Sequence, residues 1–369
     1  MNKHKNFSNF IYWIFGKLLG VKEAAGSNIE PLKKVLIVRQ HNQLGDLLAG
    51  VSLFRAIKEK YPQSHLTIIV SPFNYPGMVK NKFIDRIFIF NKKKLYSPFY
   101  LYRFYKLLRE EYDLVIVPVV VSFSFTSNLI ARFSNARVRI GARSLDGKKN
   151  KSDYFFTHRI SIDWRRHPDS NVSERSLDII RPFGINTTNY RSEITFDEPD
   201  ILYANKFIAG LKLARNEFLI GLHVGAGKVN NRWSLIKYKT LIEKLNTEYS
   251  AKFYLTGSKA DKDEVSFIAH QLDFSIGLFI NQEIPRVAAL VSKSDLFISN
   301  DTGIMHVAGT TDTPQVSVFG PTNPFNWAPI GANKMFIRKS DLIDDIAVDD
   351  VFTLCKQLLL MSKRNSASA

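Results

Sequence analysis

The sequence predicts an α/β protein made of two Rossmann-like domains, each a parallel sheet flanked by helices, facing each other across a cleft. Three observations carry this expectation. The chain has 369 residues, more than the roughly 250–300 at which single hydrophobic cores stop growing. Short β-rich apolar runs alternate with amphipathic stretches, the pattern of parallel strands joined by crossover helices. The alternation occurs as two similar series and without any short tandem repeat.

The first series supplies strands at "KVLIVR" (34–39), "HLTIIV" (65–70), "RIFIF" (86–90), "DLVIVPV" (113–119) and "VRIG" (138–141), with helices over 46–60 and 124–134. Residues 142–200 then hold the basic loop "DGKKNKS", a helix near 173–183 and a Thr/Asn-rich connector around "GINTTNY", so the domain boundary is expected near 185–200. The second series reads "FLIGLHVG" (218–225), "KFYLTG" (252–257), "SIGLFI" (275–280), "DLFISN" (295–300) and "QVSVFG" (315–320). The resulting division is an amphipathic basic segment (1–30), a first domain (31–190), a second (191–345), and a C-terminal helix and tail (346–369). Ligands of open α/β sheets bind outside the carboxyl ends of the strands, and the informative motifs do lie just after strands.

Composition narrows the function. Hydrophobic residues at 45% and charged residues at 23% are ordinary for a globular chain and exclude general disorder. One cysteine, Cys355, excludes an intramolecular disulfide and a cysteine zinc cluster, and suits a reducing cytoplasmic interior. Lys and Arg number 51 against 34 Asp and Glu, a formal charge of +17. Such a surface favours an anionic partner: nucleic acid, a membrane surface or a phosphorylated substrate.

Two segments point to a membrane surface. "NFSNFIYWIFGKLLG" carries Phe7, Phe10, Ile11, Ile14, Phe15, Leu18 and Leu19 at helical spacing, with Lys3, Lys5 and Lys17 nearby. It is interrupted by Lys17, is shorter than the ~20 apolar residues of a span and lacks a small-residue cleavage site. It therefore reads as an interfacial helix on anionic lipid; a helix packed on the protein's own surface is the alternative. "NKKKLYSPFYLYRFYKLLRE" (91–110) interleaves cations with aromatic rings in the same manner, unless those rings pack inward. Arg143, Lys148 and Lys149 would extend this acceptor-side surface.

The chemistry is concentrated in "DLFISNDTGIMHVAGTTDTPQVSVFGPTNPFNW" (295–327). A buried strand gives way to Asn300, Asp301, Thr302 and Gly303, which offer N-cap side chains and open amides before a helix. That arrangement suits a diphosphate at the positive end of a helix. His306, about one turn further, would face the same anion or a sugar hydroxyl, and the turn at Pro321 and Thr322 would complete the pocket wall. A second loop, "HVGAGKVNNRW" (223–233), offers Gly225, Ala226 and Gly227 for close backbone approach, with Lys228 and Arg232 as cations for a phosphate. A third, "LTGSKADKDE" (255–264), has Gly257 and Ser258 at a strand end, and Asp261 or Asp263 is suited either to ribose hydroxyls or to capping a helix. Asp261 and Asp263 of this third loop are spaced as Asp-x-Asp, but no metal-binding role is expected of them.

The "QLGD" loop after the first strand, the helix ending "RAIKEKYP", and "SNDTGIMHVAGTTDTPQVSVFGPTNP" together resemble the family nine glycosyltransferases, the heptosyltransferases of lipopolysaccharide inner-core synthesis. The similarity runs from about residue 34 to about 345. It implies a GT-B fold, with an acceptor-binding first domain and a second domain binding a nucleotide-activated sugar, typically ADP-heptose, as co-substrate. It further implies an inverting transfer that needs no metal, no other cofactor, and a lipid-linked phosphorylated saccharide acceptor.

Carried over by motif, the resemblance makes Asp46 the general base, with Gln43 and Gly45 beside it on the acceptor side. Asp301, Thr302, Gly303 and His306 then lie near the donor diphosphate and sugar. A base at this point would take the proton of the attacking acceptor hydroxyl. Two departures stand out: Asn231 occupies a position where the family commonly has Lys, leaving Lys228 or Arg232 to supply the charge, and "RQHNQ" replaces a small Ser-rich turn. A sugar-nucleotide epimerase or hydrolase of the same architecture is the alternative reading. A basic nucleic-acid-binding protein is another, although no recognised binding module is present.

Overall fold

The computed structural model describes residues 13–367 of the chain. They fall into two compact units, Met1–Tyr190 and Arg191–Ala369 by residue span. Lys3, Lys5, Phe7, Phe10 and Ile11, assigned above to an interfacial helix, lie outside the described residues.

The described part of unit 1 begins within a helix, α1 (13–19 among the described residues), whose Phe15 ring packs edge-on against Phe125 at 5.6 Å while Trp13 and Leu18 are exposed. The described part of this segment therefore packs one face on its own unit and leaves another open. There follow β1 (Lys34–Arg39), α2 (Leu44–Ala49), α3 (Val51–Lys60), β2 (His65–Val70), β3 (Arg86–Ile89), α4 (Pro98–Arg109), β4 (Tyr112–Ile116), α5 (Phe125–Phe133), β5 (Ala136–Leu145), β6 (Lys148–Lys149), β7 (His158–Ile162) and α6 (Val172–Arg175). The strands form one sheet in the order β3-β2-β1-β4-β5, with β7 parallel and β6 antiparallel to β5. Val35, Leu36, Ile37 and Val38 of β1 are fully buried, as a central strand covered on both faces requires.

Unit 2 contains α7 (Glu198–Gly210), β8 (Phe218–His223), α8 (Leu235–Glu248), β9 (Ala251–Gly257), α9 (Lys262–Gln271), β10 (Gly277–Ile280), α10 (Ile284–Val291), β11 (Leu296–Asn300), α11 (Gly303–Gly309), β12 (Gln315–Val318), α12 (Pro324–Trp327), β13 (Lys334–Ile337) and α13 (Val348–Ala367). Its sheet is parallel, in the order β10-β9-β8-β11-β12-β13, the doubly wound arrangement of dinucleotide-binding folds. Helix α13 is no separate appendage: Val351, Cys355, Leu358 and Leu359 are buried in the same core as Leu241, Ile298 and Val316.

Several elements differ from expectation. The helix expected over 46–60 is two helices, α2 and α3, meeting at Gly50, which caps both. The helix near 173–183 reduces to the four-residue α6 and a 3₁₀ turn at Arg181–Phe183. The basic loop "DGKKNKS" contains a hairpin whose turn residues Asp146 and Gly147 have φ of 50° and 80°, the positive values a tight two-residue turn demands.

Candidate active site

Each sheet reverses its winding beside one strand. In unit 1, β1 lies between β2 and β4; in unit 2, β8 lies between β9 and β11. Loops leaving neighbouring strands there diverge to opposite faces and open a crevice, the usual ligand position in such sheets. Most of the candidate residues lie at or beside these two points, while Arg143, Lys148 and Lys149 lie away from them on β5 and β6.

In unit 1 the chain leaves β1 at Arg39 and enters α2, whose third residue is Asp46. Asp46 is 8% exposed, and its Oδ2 lies 3.3 Å from Nη2 of Arg39, itself 5% exposed. Burial pushes the Arg39 pKa down, and the opposing charge and hydrogen bond of Asp46 work against that. His41 Nδ1 faces Arg39 Nη1 at 3.4 Å. Burial lowers the His41 pKa, and the cations Arg39 and Lys92 add to the effect, so its ring is neutral at neutral pH. Asn74 donates to the His41 carbonyl, which fixes the loop after β1 to the loop after β2. Across the switch point, Gln40 Nε2 donates to Ser124 Oγ at 2.9 Å.

The other acceptor-side candidates are distributed differently. Gln43 is the N-cap of α2, exposed and without a side-chain cap bond, and Gly45 is half-buried in the first turn. Arg143 on β5 pairs with Glu23. Lys148 and Lys149 stand exposed on β6. Arg39, His41 and Lys92 were not picked out from sequence; the available signal was an arginine closing an otherwise apolar strand.

In unit 2 three strand-end loops converge. Asn300, at the end of β11, donates through Nδ2 to the carbonyl of Val224 at 2.9 Å. Its Oδ1 accepts from Trp233 N at 3.2 Å and from Tyr238 Oη at 3.0 Å. Asn300 is therefore a buried clamp between the 224–233 loop and β11, and it does not cap a helix. Asp301 also departs from the capping role: its Oδ2 accepts from Asn231 Nδ2 at 2.9 Å, and Thr322 supplies a further hydrogen bond. Burial raises the Asp301 pKa, while Thr322, Lys228 and Asn231 oppose the rise. Asn231 Oδ1 is buried and has no partner among the described residues, an acceptor left over in a polar site.

Thr302 is the N-cap of α11 but makes no side-chain cap bond, and Gly303 opens that seven-residue helix. His306 is buried on α11, its ring 6.2 Å from that of Trp327. Burial drops its pKa to about 4, so at neutral pH it offers a neutral ring and no cation. Pro321 is exposed and Thr322 half-buried. The turn before them is drawn in by Gly320, where a Cβ would lie 3.0 Å from the Asn230 carbonyl.

The two cations of the 223–233 loop are not equivalent. Arg232 is committed: Nε donates to the Ala226 carbonyl at 2.8 Å and Nη1 pairs with Glu264 at 2.6 Å. Lys228 is exposed, and its charge acts on Asp301. Gly225 is sterically required, since a Cβ there would meet Asp261 Oδ1 at 2.1 Å, whereas Gly227 faces open space. Asp261 serves as a cap: its Oδ2 accepts from Ser258 N at 2.8 Å and Ser258 Oγ at 2.7 Å. That leaves Oδ1, against Gly225, as its remaining acceptor. A Cβ on Gly257 would lie 3.1 Å from Val265. Among the described residues, no group of three or more His, Cys, Asp or Glu is arranged to hold a metal ion.

A model of glycosyltransferase family 9 (heptosyltransferase) matches residues 101–346. The chain belongs to glycosyltransferase family 9. As a family 9 member it is a glycosyltransferase. Over 301 residues it is 23% identical to lipopolysaccharide heptosyltransferase 3 of Escherichia coli, covering 78% of this chain and 84% of that protein. A solved family 9 glycosyltransferase from Veillonella parvula superposes with a TM-score of 0.76 at 18% identity, over 92% of this chain and all (100%) of that one. The structure of E. coli ADP-heptose lps heptosyltransferase II gives 0.72 at 19% identity, over 89% and 99%. The family 9 fold, with its GT-B pair of Rossmann-like units, is thus shared along nearly the whole chain.

Proposed function

We propose that this glycosyltransferase moves a heptose from ADP-heptose onto a lipopolysaccharide core or related lipid-linked, phosphorylated saccharide, with inversion and without a metal ion. The observation that carries the proposal is the buried Asp46–Arg39 pair at the β1–α2 switch point of a family 9 chain. The E. coli relatives act, by their names, on lipopolysaccharide and with ADP-heptose, which supports both substrate assignments.

In the proposed step, the acceptor hydroxyl oxygen attacks the anomeric carbon of the donor sugar. The bond from that carbon to the diphosphate oxygen breaks, and its electron pair leaves with ADP. Asp46 takes the hydroxyl proton as the new bond forms. Negative charge grows on the departing oxygen, and fixed donors beside it favour the transition state over the ground state. Lys228, with its ammonium group exposed beside Asp301, is the side chain we assign to that charge in place of the family lysine. Asn231 takes over the positioning of Asp301 instead. The unpaired Oδ1 of Asn231 is an acceptor suited to a donor-sugar hydroxyl.

Under this reading the enzyme works at the cytoplasmic face of the membrane. Among the described residues no helix is long and apolar enough to cross a bilayer. The test is incubation of the pure protein with ADP-heptose and a lipid-linked core saccharide, with and without EDTA, followed by mass spectrometry and assignment of the anomeric configuration. Metal-independent, acceptor-dependent release of ADP with an inverted product is expected. Consumption of the sugar nucleotide without acceptor would point instead to an epimerase or hydrolase.

A further inference from the structure

Helix α4 is apolar on too many sides for a surface helix. Its inner face is accounted for: Leu107 and Leu108 are buried, and Phe104 packs between Phe88 at 5.3 Å and Phe90 at 5.1 Å. Tyr100 pins the same side, its hydroxyl donating to the Ile89 carbonyl at 3.0 Å and accepting from Asn91 N at 2.8 Å. The helix is therefore fixed to β3 and cannot turn its remaining rings inward.

Those rings are out in solvent. Phe99 is 70% exposed, Tyr102 56% and Tyr105 61%, and Tyr96 just before the helix is 84% exposed. Positions 99, 102 and 105 rise along one outer strip of the helix. Cations are threaded through it, with the Arg103 guanidinium 5.9 Å from the Phe99 ring and the Lys106 ammonium 5.3 Å from that of Tyr102. Lys92, Lys93 and Lys94 form the 3₁₀ turn that precedes the helix, and no Asp or Glu occurs from residue 91 to 109.

We infer that this outer face of α4, together with the lysine turn, docks on an anionic phospholipid surface. Exposed rings in contact with water are unfavourable, and a contiguous patch of them marks an interaction site. The chemistry of the patch selects the partner. Tyrosine and phenylalanine insert at the headgroup boundary, while surrounding lysine and arginine meet lipid phosphates. A second copy of this chain would bring the same cations against each other and is disfavoured by charge.

The position has a functional consequence that rests on the proposed transferase reading. Lys92 lies close enough to His41 for its charge to act on that ring, and His41 abuts Arg39, the partner of Asp46. Docking through this turn would bring the base-bearing loop to the surface where a lipid-linked acceptor resides.

The only cysteine of the chain, Cys355, is fully buried, so Tyr102→Cys and, as a control on the exposed side of α13, Thr353→Cys can each be labelled with an environment-sensitive fluorophore. On vesicles of phosphatidylcholine with phosphatidylglycerol, emission from the label at position 102 is expected to rise several-fold. It should stay flat at position 353 and on phosphatidylcholine alone. Lys93→Glu with Lys94→Glu should weaken the response about tenfold or more, with an unchanged melting temperature.

No rise at position 102, equal rises at both positions, or a rise with protein concentration in the absence of vesicles would each overturn the inference, the last by making the patch a self-association surface. Transfer to a delipidated, water-soluble acceptor is measured alongside on the same labelled proteins. Its loss would count against the transferase reading alone, and its retention without insertion against docking alone.

Discussion

The two switch points use the same wiring with opposite electrostatics. In each, an amide side chain spans the diverging loops: Gln40 to Ser124 in unit 1, Asn300 to the Val224 carbonyl in unit 2. In each, a carboxylate sits where a buried strand passes into a short helix. Asp46 faces a buried guanidinium at 3.3 Å. Asp301 is held by the neutral donors Asn231 and Thr322, with Lys228 acting from the surface, and burial is the dominant influence on its pKa. A guanidinium at that distance favours the anion, the form a general base needs. Neutral donors fix a carboxylate's direction with far less preference for its charge. Under the proposed function, this contrast fits proton transfer in unit 1 and positioning of the donor in unit 2.

The largest effect should come from breaking the charged half. Asp46→Asn keeps the shape and removes the proton acceptor, and is expected to lower kcat roughly a thousandfold while leaving nucleotide-sugar affinity unchanged in a thermal-shift titration. Turnover at the parental rate would dissolve the comparison, because the two carboxylates would then share a merely structural role.

The neutral half can be probed through His306. Its folded pKa of about 4 lies below its ordinary 6.5 because of burial. The folded state therefore resists a proton that the unfolded chain accepts. The stability this represents is whole above pH 6.5 and is lost as pH falls toward 4. At about 1.4 kcal/mol per pH unit, the loss amounts to roughly 3 kcal/mol. Urea unfolding of His306→Gln should show a correspondingly smaller decline between pH 7 and 4. An equal decline would mean that the site admits charge after all.

Much of this arrangement was legible in the sequence, and the illegible parts share a cause. Strands such as "KVLIVR" and "DLFISN" announce themselves because a strand buried on both faces must be continuously apolar. The Gly-Asp and Asp-Thr-Gly loops could then be located simply as the polar turns at the carboxyl ends of those strands. β6, β7 and β13 were missed because they are short and lie partly exposed at or near the sheet edge, where no apolar run is demanded. Local rules made Asn300 and Asp301 helix caps, since Asn and Asp favour that position. Their actual partners, Val224, Trp233 and Asn231, are some seventy residues away in sequence. The Arg39–Asp46 pair was hidden in the same way, because side chains seven residues apart meet only when the strand-to-helix turn folds one back on the other.

A smaller effect separates the two cations of the donor loop. Lys228→Ala should raise the donor KM about tenfold, the loss of one charge-assisted contact, and leave the melting temperature alone because the side chain is exposed. Arg232→Ala should do the reverse. It leaves the Ala226 carbonyl and Glu264 without a partner, so the melting temperature falls while KM changes less. Interchanged outcomes would give Arg232 the phosphate and leave Lys228 as solvated surface.

The smallest effect distinguishes the two carboxylates most directly. Burial raises the folded pKa of Asp301 above its ordinary value, so between the unfolded and folded values the folded state holds more protons than the unfolded one. By linkage, stability then falls as pH rises through that interval and stays lower above it. Asp301→Asn removes this titration while retaining an oxygen able to accept from Asn231. The variant should therefore be more stable than the parent at neutral pH, and the gain should vanish in acid. Asp46→Asn has no such compensation, because it strips a buried guanidinium of its counter-charge, and it should destabilise at neutral pH. If both substitutions shift stability in the same direction, the electrostatic contrast between the two switch points is absent, and with it the division of labour.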